Sequence, residues 1–145
     1  MKKIIVAAIS ILILCSSYSF ARDDIGTYSI SSVISTDVAK AKLGSDISFY
    51  FGDESYGEIV KEFGVFKTNK KTNAFGKSDS EACNWVFLSA MIALKQRAIN
   101  EGGNAVVEIK SNYKNNLTSS SDEFKCGAGT IMAGVALVGK VVTIE

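Results

Sequence analysis

Near the end of the chain Gly134 is followed, after four residues, by Gly139 and Lys140, the spacing that opens a phosphate-binding loop, G-x-x-x-x-G-K-[ST]. Such a loop wraps backbone N–H groups around phosphates and reaches them with its lysine. It holds magnesium on a Ser/Thr oxygen and starts a helix whose N-terminus faces the anion. Here Val141 stands where the hydroxyl belongs, Val141 and Val142 favour a strand, and only five residues follow Lys140. Upstream, "GAGTIMAG" imitates a dinucleotide fingerprint, with no βαβ unit to receive it. Nucleotide binding is therefore not expected, and neither is any other cofactor.

The cysteines offer a second chemistry. The chain has three, Cys15, Cys83 and Cys126, and no histidine. A nucleophilic cysteine normally needs an activating base such as histidine, and a redox pair usually sits close together as C-x-x-C. Cys83 and Cys126 lie 43 residues apart. A structural bridge between them is the favoured reading, worth about 4 kcal/mol in the chain-entropy model; a redox pair is the functional alternative.

One basic cluster stands out: Lys67, Lys70, Lys71 and Lys77, with Asn69, Asn73 and Phe75 interleaved. As a loop it could grip a phosphate, an anionic glycan or nucleic acid, with Phe75 stacking on a base. The plainer reading is a solvated loop balanced by Asp53, Glu54, Glu58 and Glu62. Asp23, Asp24, Asp53 and Glu54 could hold calcium, but none has the spacing of a calcium loop. Asp79 and Glu81 fall at a helix start, where negative charge suits the dipole. Ser89 and Lys95 are six residues apart and cannot face each other as a dyad. An enzyme is not expected, and no metal site is either.

The elements that position these residues begin with a leader. "MKKIIVAAISILILCSSYSFA" has a basic start, an apolar stretch from Ile4 to Leu14, and small residues Ser19 and Ala21 at the −3 and −1 positions of a signal-peptidase site. Cleavage after Ala21 is expected, giving a periplasmic or secreted protein. The apolar run is short of the roughly 20 residues that span a bilayer, so no stable membrane insertion is expected after cleavage. Lipidation at Cys15 is the lesser alternative, because Ile13 and Leu14 precede it where very small residues are normal. Losing Lys2 and Lys3 lowers Lys+Arg from 16 to 14 against 15 Asp+Glu. A near-neutral chain has no global field for nucleic acid. Residues 22–145 suffice for one domain with its own core, and an oxidising compartment supports the bridge.

Along that domain, residues 22–26 read as a frayed end and "TYSISSVIS" as a short strand. "STDVAKAKLG" reads as a short helix capped by Ser35, Thr36 or Asp37 and ended by Gly44. "DISFYFG" alternates Ile47, Phe49 and Phe51 against Ser48 and Tyr50, the pattern of a half-buried strand. "IVKEFGVFKTN" is a further extended segment and "KKTNAFGK" a loop. Ser78 and Glu81 form a capping box, Gly102 and Gly103 close the far end, and Cys83, Phe87, Ala90, Met91, Leu94 and Ala98 recur at helical spacing. Trp85, Val86, Leu88 and Ile92 widen this apolar sector, so the helix must be covered on more than one side. "NAVVEIKSNY" alternates Ala105, Val107, Ile109 and Tyr113 against Glu108 and Lys110. "EFKCGAGTIMAGVALVGKVVTI" then returns as extended chain. The expectation is an α+β fold: one long buried helix on a small, mostly antiparallel sheet, with a C-terminal hairpin and one disulfide.

"TNKKTNAFGKSD", "EAC…W", "GGNAVV" and "AGVAL" resemble a family of small exported bacterial proteins often labelled "excinuclease ATPase subunit", over nearly the whole of residues 22–145. These residues hold neither complete nucleotide motifs nor zinc motifs, and the resemblance implies no established activity. More loosely, a helix running into "GGNAVV" and then a hairpin resembles the domain of the Rcs envelope-stress lipoprotein and its heavy-metal-binding-like relatives. That likeness implies a compact module that relays by protein contact. The expected function is an exported, non-enzymatic interaction or sensing module of the bacterial envelope, whose partner is another envelope protein and not nucleic acid. The alternative is a small-ligand or anion binder using the Lys67–Lys77 loop.

Overall fold

A computed structural model describes residues 22–145; the expected leader and its cleavage site, with Cys15 and Ala21, lie outside the described residues. The elements are β1 (Asp24–Ser29), α1 (Ile30–Ile34), α2 (Asp37–Leu43), β2 (Ser48–Phe51), β3 (Ile59–Asn73), α3 (Asp79–Glu101), β4 (Ala105–Ser111), β5 (Glu123–Ala128) and β6 (Met132–Ile144). The architecture is α+β, as expected: one long helix packed on a six-stranded, mostly antiparallel sheet.

Strand β6 organises the sheet. One of its edges pairs with β3 from Asn73↔Met132 to Ile59↔Ile144. Its other edge is shared: β4 takes the C-terminal part, Ala105↔Val142 to Ser111↔Leu137, and β5 takes Gly127↔Gly134 and Ala128↔Ala133. Strand β1 flanks β5 antiparallel, and β2 flanks β4 in parallel.

Helix α3 begins where the capping box places it. The Ser78 hydroxyl accepts from the Glu81 N–H at 3.1 Å, satisfying one of the donors that a helix start leaves over. It ends at Gly102, whose φ of 87° is the left-handed cap that glycine adopts without strain. Cys83, Val86, Phe87, Ala90, Met91, Leu94 and Ala98 are buried against β3, β5 and β6, while Ile30, Val33, Ala39 and Leu43 of the two short helices join the same core. The apolar sector is thus covered from two sides, except at Trp85, which stays exposed.

Five expectations need correction. The segment from Arg22 to Gly26 is not a frayed end, because Asp24 to Ser29 pair with Ala128 to Glu123 of β5. "ISSVI" is helix α1 and not strand: Ser29 caps it by accepting from the Ser32 N–H, and Ile30 and Val33, three apart, both bury. Capping and burial outweigh the β-branched residues' preference for a strand.

"KKTN" is not loop. β3 runs through Asn73 because β6 offers partners as far as Met132. The alternation expected for β4 is broken at Glu108, whose φ of 53° marks a bulge where the β4–β6 register shifts between Val107 and Lys110. Val106 and Ile109 therefore face the helix, and Ala105 and Val107 face the opposite side. The returning chain is likewise two strands, since the Gly129 N–H donates to the Met132 carbonyl at 2.8 Å and closes the β5–β6 hairpin.

Candidate functional site

The Cys83–Cys126 bridge is formed, with its Cα atoms 5.9 Å apart. Both cysteines are wholly buried. Phe87, one turn beyond Cys83, stacks on Phe124, two residues before Cys126, with ring centroids 4.0 Å apart. The bridge ties α3 to β5 inside the core.

The phosphate-loop-like stretch lies inside β6, with both of its edges paired. Its backbone donors belong to ladders, so no anion cradle is formed. A packing reason for one glycine is plain: a Cβ at Gly139 would stand 2.6 Å from Val106 Cγ1, closer than atoms can approach. Lys140 is occupied by Glu62 and Glu108, each at 3.6 Å.

The lysine cluster is divided among different surfaces. Lys67 and Lys71 project from the sheet face turned away from α3, opposite Val138 and Gly134. Lys70 projects to the α3 side, where it shares a shallow groove with Phe66 and Arg97; the guanidinium lies 4.2 Å from the Phe66 ring centre. Lys77 donates to the Asn73 carbonyl at 3.0 Å, Asn73 accepts from the Phe75 N–H at 2.8 Å, and the Phe75 ring is exposed. These side chains do not converge on one ligand. Among the described residues β3 pairs only with β6, and lysines on such an edge blunt strand-to-strand aggregation.

The remaining sequence candidates are also dispersed. Asp23 pairs with Lys114 and accepts from the Tyr113 hydroxyl at 3.1 Å. The Lys114 hydrogen bond holds the Asp23 carboxyl below its ordinary range, and partial burial followed by the bond to Asp23 raises the Tyr113 phenol. Asp24 lies 3.4 Å from Arg22, and Glu54 accepts from the Phe51 N–H at 2.6 Å. Asp79 pairs with Arg22 at the start of α3. Ser89 donates to the Trp85 carbonyl at 3.1 Å, whereas Lys95 lies 3.5 Å from Asp46, so the two have separate partners. Among the described residues no three acidic or sulfur side chains gather as a metal site would require.

Among the concave surfaces of the described residues, two that the sequence reading missed bear on function. One is an apolar groove of about 610 Å³ between the short helices and α3. Val33 and Leu88 line it, and Val38 and Trp85 stand exposed beside them, Trp85 at 54%. Lys77 and Glu81 contribute charge to its lining. The other is a smaller groove on the far face of the sheet, lined by lysines from three strands. Comparison with family models, with curated proteins and with solved structures finds no match to this chain.

Proposed function

We propose that this chain is an exported, non-enzymatic interaction module of the bacterial envelope, and that it docks a partner protein through the groove at Trp85. The observation that carries the reading is the exposure of Trp85 on the helix that supplies much of the core. A tryptophan ring left in water beside Val38 forgoes the ~25 cal/mol per Å² that burying it would yield. Exposed aromatic residues in concave, apolar surroundings are where protein interfaces concentrate their binding energy. The occupant is a segment of another protein presenting aliphatic or aromatic side chains to Val33, Val38 and Leu88. The Cys83–Cys126 bridge anchors the start of the same helix, two residues before Trp85.

The test is photocrosslinking from position 38 in oxidised protein exposed to the envelope fraction, with position 60, exposed on β3 and outside both grooves, as control. The reading expects one protein crosslinked from position 38 only, and its purified form should bind Trp85→Ala at least tenfold more weakly. Equal crosslinking from both positions, or none from position 38, overturns it.

A further inference from the structure

We infer that the sheet face turned away from α3 binds a phosphoryl group between Lys67 and Lys110. The inference rests on register and does not depend on the groove at Trp85. Val138 of β6 lies opposite Lys67 of β3 on one side and Lys110 of β4 on the other. Residues directly opposite in antiparallel pairs project to the same face. With strands roughly 4.8 Å apart, the two lysine stems rise about 10 Å from each other across one valine.

Lys140, two residues along β6, projects on the same face. All three lysines line one groove of about 340 Å³, together with Asn112.

Charge in the groove is unbalanced. Lys140 is held by Glu62 and Glu108. Glu108 in turn accepts from the Tyr56 hydroxyl at 3.0 Å, which draws it to the Lys140 end. Lys67 and Lys110 form no ion pair among the described residues. Two like charges on either side of a small concave surface favour an anion between them, and lysine binds phosphate as a mobile point charge. A phosphoryl group, anionic and with at least two free oxygens, can accept from both ammoniums and from the Asn112 amide. Exposed Val65 and Leu117 flank the lysines and suit the carbon portion of an organic phosphate. That phosphate is either a soluble ester or the headgroup of an anionic lipid.

The experiment uses the disulfide-bonded residues 22–145. Calorimetry with inorganic pyrophosphate represents the soluble source. Co-sedimentation with phosphatidylglycerol vesicles, against phosphatidylcholine vesicles, represents the lipid source. Binding in either arm should weaken at least tenfold in Lys67→Gln/Lys110→Gln and stay within twofold in Lys70→Gln/Lys77→Gln, which removes the same charge elsewhere. Circular dichroism and melting of both variants confirm the fold. Binding of pyrophosphate assigns a soluble ester, and binding of anionic vesicles alone assigns a headgroup; either supports the site. Binding in neither arm, or equal loss in both double variants, overturns it.

Discussion

Phe87 on α3 and Phe124 on β5 stack with their centroids 4.0 Å apart and planes 17° apart, one helical turn and one strand repeat away from the Cys83–Cys126 bridge. Helix period and strand period meet here twice, once through sulfur and once through rings. Replacing both cysteines by alanine should therefore keep the fold by circular dichroism. It should lower stability to urea by about 4 kcal/mol, the loss of a closed loop of 43 residues. An unchanged urea midpoint would refute the bridge's contribution.

Phe87→Ala, with the bridge intact, should cost about 3–5 kcal/mol, since it empties a wholly buried site. In the double-cysteine background the cost should differ by about 0.5–3 kcal/mol, because neighbours that share one contact are not additive. Strict additivity in a double-mutant cycle would show that ring and sulfur act separately.

Trp85 is the chain's one tryptophan, so intrinsic fluorescence reports it alone. Emission should be red-shifted and readily quenched by acrylamide in the free protein. Trp85→Ala should change the melting free energy by less than about 0.5 kcal/mol, as exposed substitutions do. A blue-shifted, unquenchable signal would place the ring in the core instead.

The core was legible in the sequence wherever one element could be read by itself. The Ser78 cap, the Gly102 stop and the run Cys83–Phe87–Ala90–Met91–Leu94 fixed α3, and the cysteine spacing suggested the bridge. Trp85 was also open to such a reading: at 100° per residue it points roughly 200° from both Cys83 and Phe87, away from the stripe it was counted with. The strands were harder, because pairing decides them. Nothing local in "KKTN" announces that Met132 to Val135 will stand opposite, and the Glu108 bulge that turns Val107 from the helix side has no marker in "AVVEI". The lysine groove was illegible for the same reason. Lys67, Lys110 and Lys140 meet only through the β3–β6–β4 register.

Completing the phosphate-loop motif offers a direct test of that register. Val141→Ser restores G-x-x-x-x-G-K-S, yet position 141 is wholly buried on the helix side of β6. The variant should bind no nucleotide and should lose about 1–3 kcal/mol for a hydroxyl placed among apolar neighbours. Gly139→Ala should cost about 1–3 kcal/mol by forcing a methyl onto Val106. Nucleotide binding by the serine variant, or a neutral Gly139→Ala, would refute the assignment of this stretch to the centre of the sheet.

Asp23 ties the first strand to the segment after β4 through Lys114 and Tyr113, and its pH dependence has a defined sign. The hydrogen bond from Lys114 lowers the folded carboxyl below 3.8. Its stabilisation is therefore present above that value and is lost as pH falls through the lowered folded value. Tyr113 is raised above 10.0, first by burial and then by its bond to Asp23. Its contribution is complete below 10.0 and is lost as pH rises through the raised value. In melts of wild type and Asp23→Ala, the gap should be flat between those limits and close at both ends. The absorbance titration of Tyr113 should shift to lower pH in the variant. A gap that stays constant into acid would mean that the Asp23 carboxylate has no part in holding β1 to the sheet.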